Sequence, residues 1–134
     1  MPDQVLLIDD DPRLVMALQI RLTASGYLVH TAYSGEEGLS AARRVRPQVI
    51  VLDVNMPGMD GLQVCRAVRA DEQLNATPII IMSAVTHESA RRAAMEAGAS
   101  EFMGKPYQPA PVMAAIRAAI ERAGAAGMGC ATPG

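Results

Sequence analysis

The chain has 134 residues, 50% of them apolar, and a formal net charge of −2, which suits one domain with a proper core and excludes a disordered composition. No run of Lys or Arg supplies the basic stripe of a nucleic-acid surface, and no apolar stretch approaches a membrane span. The start, Met-Pro-Asp-Gln, is no signal peptide, and Cys65 and Cys130 make neither a metal-ligand nor a disulfide pattern, so the chain reads as cytoplasmic.

In chain order, apolar runs alternate with helix-period segments. Residues 5–8, VLLI, predict a buried strand that runs straight into Asp9-Asp10-Asp11. Leu14, Val15, Leu18 and Leu22 then mark one face of a helix that opens at Asp11-Pro12 and stops at Gly26. A short strand over 28–31 leads to a helix with Leu39, Ala42 and Val45 inward, where Ser34 and Glu37 have capping-box spacing. Pro47 ends it, and 49–53 is a third strand, apolar until Asp53. The turn NMPGMDG leads to a helix with Leu62, Cys65 and Val68 on one stripe. After Pro78, IIIM gives a fourth strand that ends at Ser83. The helix over 87–97 leans on alanines and should pack lightly, and 101–104 is a weak fifth strand. Val112, Met113, Ile116 and Ile120 mark a last helix. The domain is then residues 3–122, and the Gly- and Ala-rich residues 123–134 read as a flexible tail or linker.

Continuous apolar strands alternating with helices predict a parallel sheet covered on both faces, a doubly wound α/β fold. Functional groups in such sheets collect at the carboxyl ends of the strands. Here those ends carry Asp9-Asp10-Asp11, Asp53, Ser83 and Lys105. Taken singly, each has a dull explanation: Asp11 a helix cap, Asp53 a turn opener, Ser83 a cap, Lys105 a solvated lysine. Their convergence on one edge of the sheet is better explained by one pocket.

Two carboxylates about 4 Å apart repel by roughly 4 kcal/mol at an effective dielectric near 20, so clustered aspartates need an offsetting charge. Asp9, Asp10 and Asp53 supply hard oxygen ligands, too few for a full cage, which fits Mg²⁺ with its retained waters. No His or Cys accompanies them, which argues against zinc. Lys105 offers positive charge for a phosphoryl group and Ser83 a donor hydroxyl. No glycine-rich phosphate loop is present. The nucleophile expected from this set is a carboxylate, and the product an aspartyl phosphate.

The segments LLIDDD, VLDVNMPGMDG, IIIMSA and FMGKPY, in that order, resemble the receiver domain of bacterial two-component response regulators. The resemblance implies a flavodoxin-like doubly wound α/β fold, a five-stranded parallel sheet of order 2-1-3-4-5 flanked by five helices. It implies Asp53 as phosphoacceptor, Asp10 as a direct Mg²⁺ ligand, Asp9 acting through water, and the backbone carbonyl of Asn55 completing the coordination. Ser83 matches the switch hydroxyl, Lys105 the lysine that contacts the phosphoryl group, and Phe102 the aromatic switch; an ordinary core aromatic remains the alternative for Phe102. It also implies a cis Lys105–Pro106 bond. The implied partners are a sensor histidine kinase or histidine phosphotransfer protein and an unidentified output partner or output domain. The implied role is phosphorelay signalling in which the domain is not an enzyme but assists its own phosphorylation and autodephosphorylation, and switches partners through its fourth helix, fifth strand and fifth helix. Gly104 and Val85 depart from the family pattern; the first should soften strand five, and the second should affect how water reaches the phosphoryl group. Two alternatives stand beside this reading. A haloacid-dehalogenase-like phosphatase would want Asp where Asn55 stands, and a receiver fold that no longer accepts phosphate would have lost an acid or the lysine.

Overall fold

Uninterrupted apolar runs become the strands of a sheet whose two faces are both covered. The computed structural model describes residues 2–105 and 108–131, with side chains as far as Gly124. The strands are β1 (Gln4–Ile8), β2 (Leu28–Ala32), β3 (Val49–Asp53), β4 (Ile79–Ser83) and β5 (Glu101–Gly104). They alternate with α1 (Pro12–Ala24), α2 (Gly35–Val45), α3 (Gly61–Ala70), α4 (Glu88–Ala97) and α5 (Pro109–Ala131). All pairings are parallel and the order is β2-β1-β3-β4-β5, as expected.

Side chains alternate across a strand, so each apolar run feeds two cores. Leu6, Ile8, Ile50, Leu52, Ile79 and Ile81 pack with Leu39 of α2, Val64 and Val68 of α3 and Ala94 of α4. Val5, Leu7, Val49, Val51, Ile80 and Met82 face the other way, onto Val15, Leu18 and Leu22 of α1 and Val112 and Ile116 of α5. The central strands β3 and β4 are buried throughout.

Helix ends follow local chemistry. Asp11 caps α1 by accepting from the Arg13 N–H at 3.0 Å, with Pro12 in the first turn. Ser34 caps α2 by accepting from the Glu37 N–H at 3.2 Å, but the expected box does not close. The Glu37 carboxylate instead reaches one residue further, to the Tyr33 N–H. A full capping box forms at α3, where Asp60 and Gln63 exchange hydrogen bonds of 2.9 Å.

Helix α4 buries only Ala94 and Ala97, the light packing its composition implies. Its far end is fixed by Arg69 of α3. That guanidinium donates to the carbonyl oxygens of Gly98 at 2.8 Å, Asn75 at 3.0 Å and Thr77 at 2.6 Å.

The sequence expectation ends the domain at residue 122 and assigns 123–134 to a flexible tail or linker. Helix α5 instead continues to Ala131. Alanine has the highest helix propensity, and the extension contains no proline to stop it. Residues 132–134 lie outside the described residues.

Candidate functional site

Strands β1, β3, β4 and β5 end side by side, and the polar residues that terminate them meet there. Asp9 follows β1 and is 7% exposed; its backbone N–H donates to the Ala32 carbonyl, which extends the β1–β2 ladder by one step. Asp53 closes β3 at 4% exposure. Lys105 follows β5 and is aimed by its own N–H, which donates to the Ser83 carbonyl oxygen at 2.7 Å.

The lysine side chain joins the two acids. Its Nζ lies 2.8 Å from Asp9 Oδ2 and 3.1 Å from Asp53 Oδ1. Backbone donors add to this: Asp9 Oδ1 accepts from the Asp11 N–H at 2.9 Å, and Asp53 Oδ1, the oxygen nearest Lys105, from the Asn55 N–H at 3.3 Å. Asp10 stands exposed at the rim. One carboxylate oxygen from each of Asp9, Asp10 and Asp53 falls within 4.8 Å of the others.

One ammonium cannot fully neutralise two buried carboxylates. Burial, then the charge of Asp9, raise the Asp53 carboxyl above its ordinary value, against the lowering pull of Lys105. For Lys105, burial works to lower the value, but hydrogen bonds to Asp9 and Asp53 and their charges outweigh it and the net shift is upward. The two directions agree physically: the lysine is held charged by two acids, while Asp53, the more distant of the two, receives the smaller share of its charge.

Ser83 is 1% exposed, but its hydroxyl is turned to its own loop. Oγ donates to the Val85 carbonyl oxygen at 2.8 Å and accepts from the Val85 N–H at 3.1 Å. Phe102, opposite Ile81 in the β4–β5 register, is partly buried against the core beneath α2, α3 and α4. The structure therefore brings Asp9, Asp53 and Lys105 into direct contact and sets Asp10 beside them. It brings neither Ser83 nor Phe102 into contact with the acids: the first is bonded to Val85 and the second is packed on the core. Pro106, and with it the expected cis bond, lies outside the described residues.

Sequence reasoning missed Gly61. A Cβ there would lie 2.4 Å from the Asp53 carbonyl oxygen and 2.7 Å from Val54 Cα, so the start of α3 can rest directly on the end of β3. The signal was present in MDG, read only as a turn.

The family model for the response regulator receiver domain matches residues 5–117. The chain belongs to that family. This receiver is 43% identical over 118 residues to the transcriptional regulatory protein AfsQ1 of Streptomyces coelicolor, covering 88% of this chain and 51% of that one. It is 38% identical over 122 residues to the alkaline phosphatase synthesis transcriptional regulatory protein PhoP of Bacillus subtilis, covering 91% and 50%. The receiver thus spans about half the length of these curated relatives. Among solved structures it resembles a putative response regulator from Chloroflexus aurantiacus, at a TM-score of 0.85 and 32% identity over 90% of this chain and 99% of that one. The chemotaxis protein CheY4 of Vibrio cholerae gives a TM-score of 0.85 and 31% identity over 89% and 99%. A receiver is a signalling domain of two-component systems. Among the described residues no helix is long and apolar enough to cross a membrane.

Proposed function

We propose that this receiver accepts a phosphoryl group on Asp53 from a phosphohistidine on a sensor kinase or phosphotransfer protein. The observation that carries the reading is a buried carboxylate at Asp53 in contact with Lys105, with two further acids beside it. An Asp53 oxygen attacks phosphorus; the O–P bond forms as the P–N bond breaks, and the electron pair leaves on the imidazole ring, which takes up a proton. Such transfer needs positioning and charge neutralisation more than covalent help from the protein. Lys105 follows the negative charge from the Asp53 carboxylate onto the phosphoryl oxygens, and Ser83 donates to another of them once its hydroxyl leaves Val85.

The donor set of Asp9, Asp10 and Asp53 is all hard carboxylate oxygen within 4.8 Å, which fits Mg²⁺ better than a softer metal. Asp10, Asp53 and the Asn55 backbone carbonyl would hold it, with Asp9 acting through water. When bound there it offsets the acids' repulsion and lowers the cost of bringing an anionic phosphoryl group to Asp53. Water attack on the same aspartyl phosphate returns the domain to rest. The output surface is α4, β5 and α5, supported by the light burial of α4 and the half-exposed β5. The cytoplasm is the compartment where such donors act.

Acetyl phosphate with Mg²⁺ should give a single added phosphate by intact-mass spectrometry, absent in Asp53→Asn and absent with EDTA. Undiminished labelling of the variant would overturn the assignment.

A further inference from the structure

The Ser83 hydroxyl is fully committed in this conformation: its one hydrogen goes to the Val85 carbonyl, and a lone pair takes the Val85 N–H. Ser83 cannot donate to a phosphoryl oxygen on Asp53 while it donates to Val85. Both partners of the hydroxyl lie on Val85 in the loop over residues 84–87, so whatever holds that loop in place favours the Ser83–Val85 pairing over release of Ser83.

The neighbour on β5 is Gly104. It pairs in register with Ser83, and the next residue, Lys105, donates its N–H to the Ser83 carbonyl, so the strand end is fixed directly beside the loop. Thr86 lies over it. A Cβ built on Gly104 would fall 2.7 Å from Thr86 Cγ2 and 3.9 Å from Thr86 Cβ. Gly104 is not among the glycines with positive φ, so backbone freedom does not explain a glycine in this strand. The close approach of the Thr86 methyl does. The softness expected of Gly104 from sequence thus has a second side: the missing side chain is the space into which the loop docks.

We infer that Thr86 and Gly104 form a latch that holds the loop at rest, and that Gly104 is a positioning residue setting how readily Ser83 is released to the phosphoryl site. This rests on the reading of Asp53 and Ser83 given under Proposed function. Thr86 and Gly104 touch neither the acids nor a phosphoryl group; they act through the loop. A methyl added at Gly104 penalises the docked conformation, where Thr86 can stay over β5 only by turning its methyl off its present rotamer, and leaves the released loop unaffected. The population then shifts towards the released loop, and a ligand that requires the released loop binds more tightly.

The test uses the full chain as wild type, Gly104→Ala, Thr86→Ala and the double variant. Two readouts are taken: the amide exchange rate of Val85 by NMR without any ligand, and the affinity for beryllofluoride with Mg²⁺ by calorimetry. Forcing a short side chain off its preferred position should shift the equilibrium by about fivefold. Gly104→Ala should therefore speed Val85 exchange and tighten beryllofluoride binding, each by about fivefold. Thr86→Ala loses the methyl contact and should also speed exchange. The double variant moves the methyl from one side of the contact to the other, at the 3.9 Å of an ordinary van der Waals contact, and should return both readouts to wild type. A protein with merely damaged packing would not recover on a second substitution. Unchanged Val85 exchange in Gly104→Ala, faster exchange without tighter binding, or a double variant no closer to wild type than the singles would each overturn the latch. Should Gly104→Ala fail to fold, unchanged exchange in Thr86→Ala would overturn it and faster exchange support it. A wild type that binds no beryllofluoride would overturn the phosphoacceptor reading, while the exchange rates still decide the latch.

Discussion

Lys105 offers one ammonium to two buried carboxylates, at 2.8 Å from Asp9 and 3.1 Å from Asp53. Sequence alone singled out both acids and the lysine, because the acids end strongly apolar strand runs and the lysine ends a weaker one. It could not show that the lysine meets Asp9, 96 residues away, and so named only a metal ion as the charge that offsets the aspartates. The pairing leaves Asp53 incompletely compensated, and its folded value stands above the ordinary 3.8. For an acid raised on folding, the penalty to stability grows as pH rises through 3.8 and levels off above the folded value, so it is larger at pH 7 than in mild acid. Asp53→Asn keeps the shape and the acceptor for Lys105 while removing the charge. In EDTA at pH 7 the variant should be more stable than wild type, because the raised Asp53 carboxyl is charged there at a cost to the fold. The gain should shrink as pH falls towards 3.8. Urea denaturation at pH 7 and in mild acid measures both; a variant less stable at pH 7 would show that hydrogen bonding outweighs crowding. Lys105 has the opposite sense: raised above 10.5, it contributes stability that is fully present below 10.5 and is lost only as pH climbs past its folded value.

Elements were legible where burial is continuous and less so where one element leans on another. The strand runs at residues 49–53 and 79–82 allow no other reading, and Pro47 and Gly26 end helices where expected. Glu37 was matched to Ser34 by spacing, yet its carboxylate bonds Tyr33, because sequence spacing does not say which of two neighbouring N–H groups is nearer. The contact of α3 with β3 through Gly61 is invisible to local patterns for the same reason: it depends on how two elements approach. Because the atoms it would meet are backbone, they cannot turn aside. Gly61→Ala should cost about 2–3 kcal/mol, typical of overpacking a tight site, and should lower the rate of Asp53 labelling by acetyl phosphate. Wild-type stability and labelling in that variant would show that α3 can shift without moving Asp53.

At the scale of the molecule, two apolar layers hold a sheet whose carboxyl edge gathers acids brought from β1 and β3, so a cation bound there ties the first and third strands together. A ligand that binds only the native state stabilises it by mass action, by about 1.4 kcal/mol at ten times its dissociation constant. Thermal melts should therefore rise when EDTA is replaced by millimolar Mg²⁺, and Asp10→Asn, which removes a rim carboxylate without touching the Lys105 pairs, should lose most of that rise. An equal rise in both proteins would place the bound ion elsewhere. The doubly wound architecture follows from the pattern of apolar runs alone. The length of α5 did not follow, because a Gly- and Ala-rich segment without large apolar residues shows no periodicity even when its backbone is helical.

Arg69 gives α4 two unlike ends. Its guanidinium bonds the Gly98 carbonyl just past the last turn of α4 and two carbonyls of the segment leading into β4. Among the described residues the first turn of α4 has no such anchor, and it follows directly on the loop that carries Ser83. A helix held this way would move as a lever about a pivot at Gly98. Ten residues at 1.5 Å each give an arm of about 15 Å, so a tilt of about 10° sweeps the Glu88 end through roughly 2–3 Å while the far end stays in place. A displacement at the edge of the acidic site would thus become a rotation of an exposed surface, largest next to the site and smallest at Gly98.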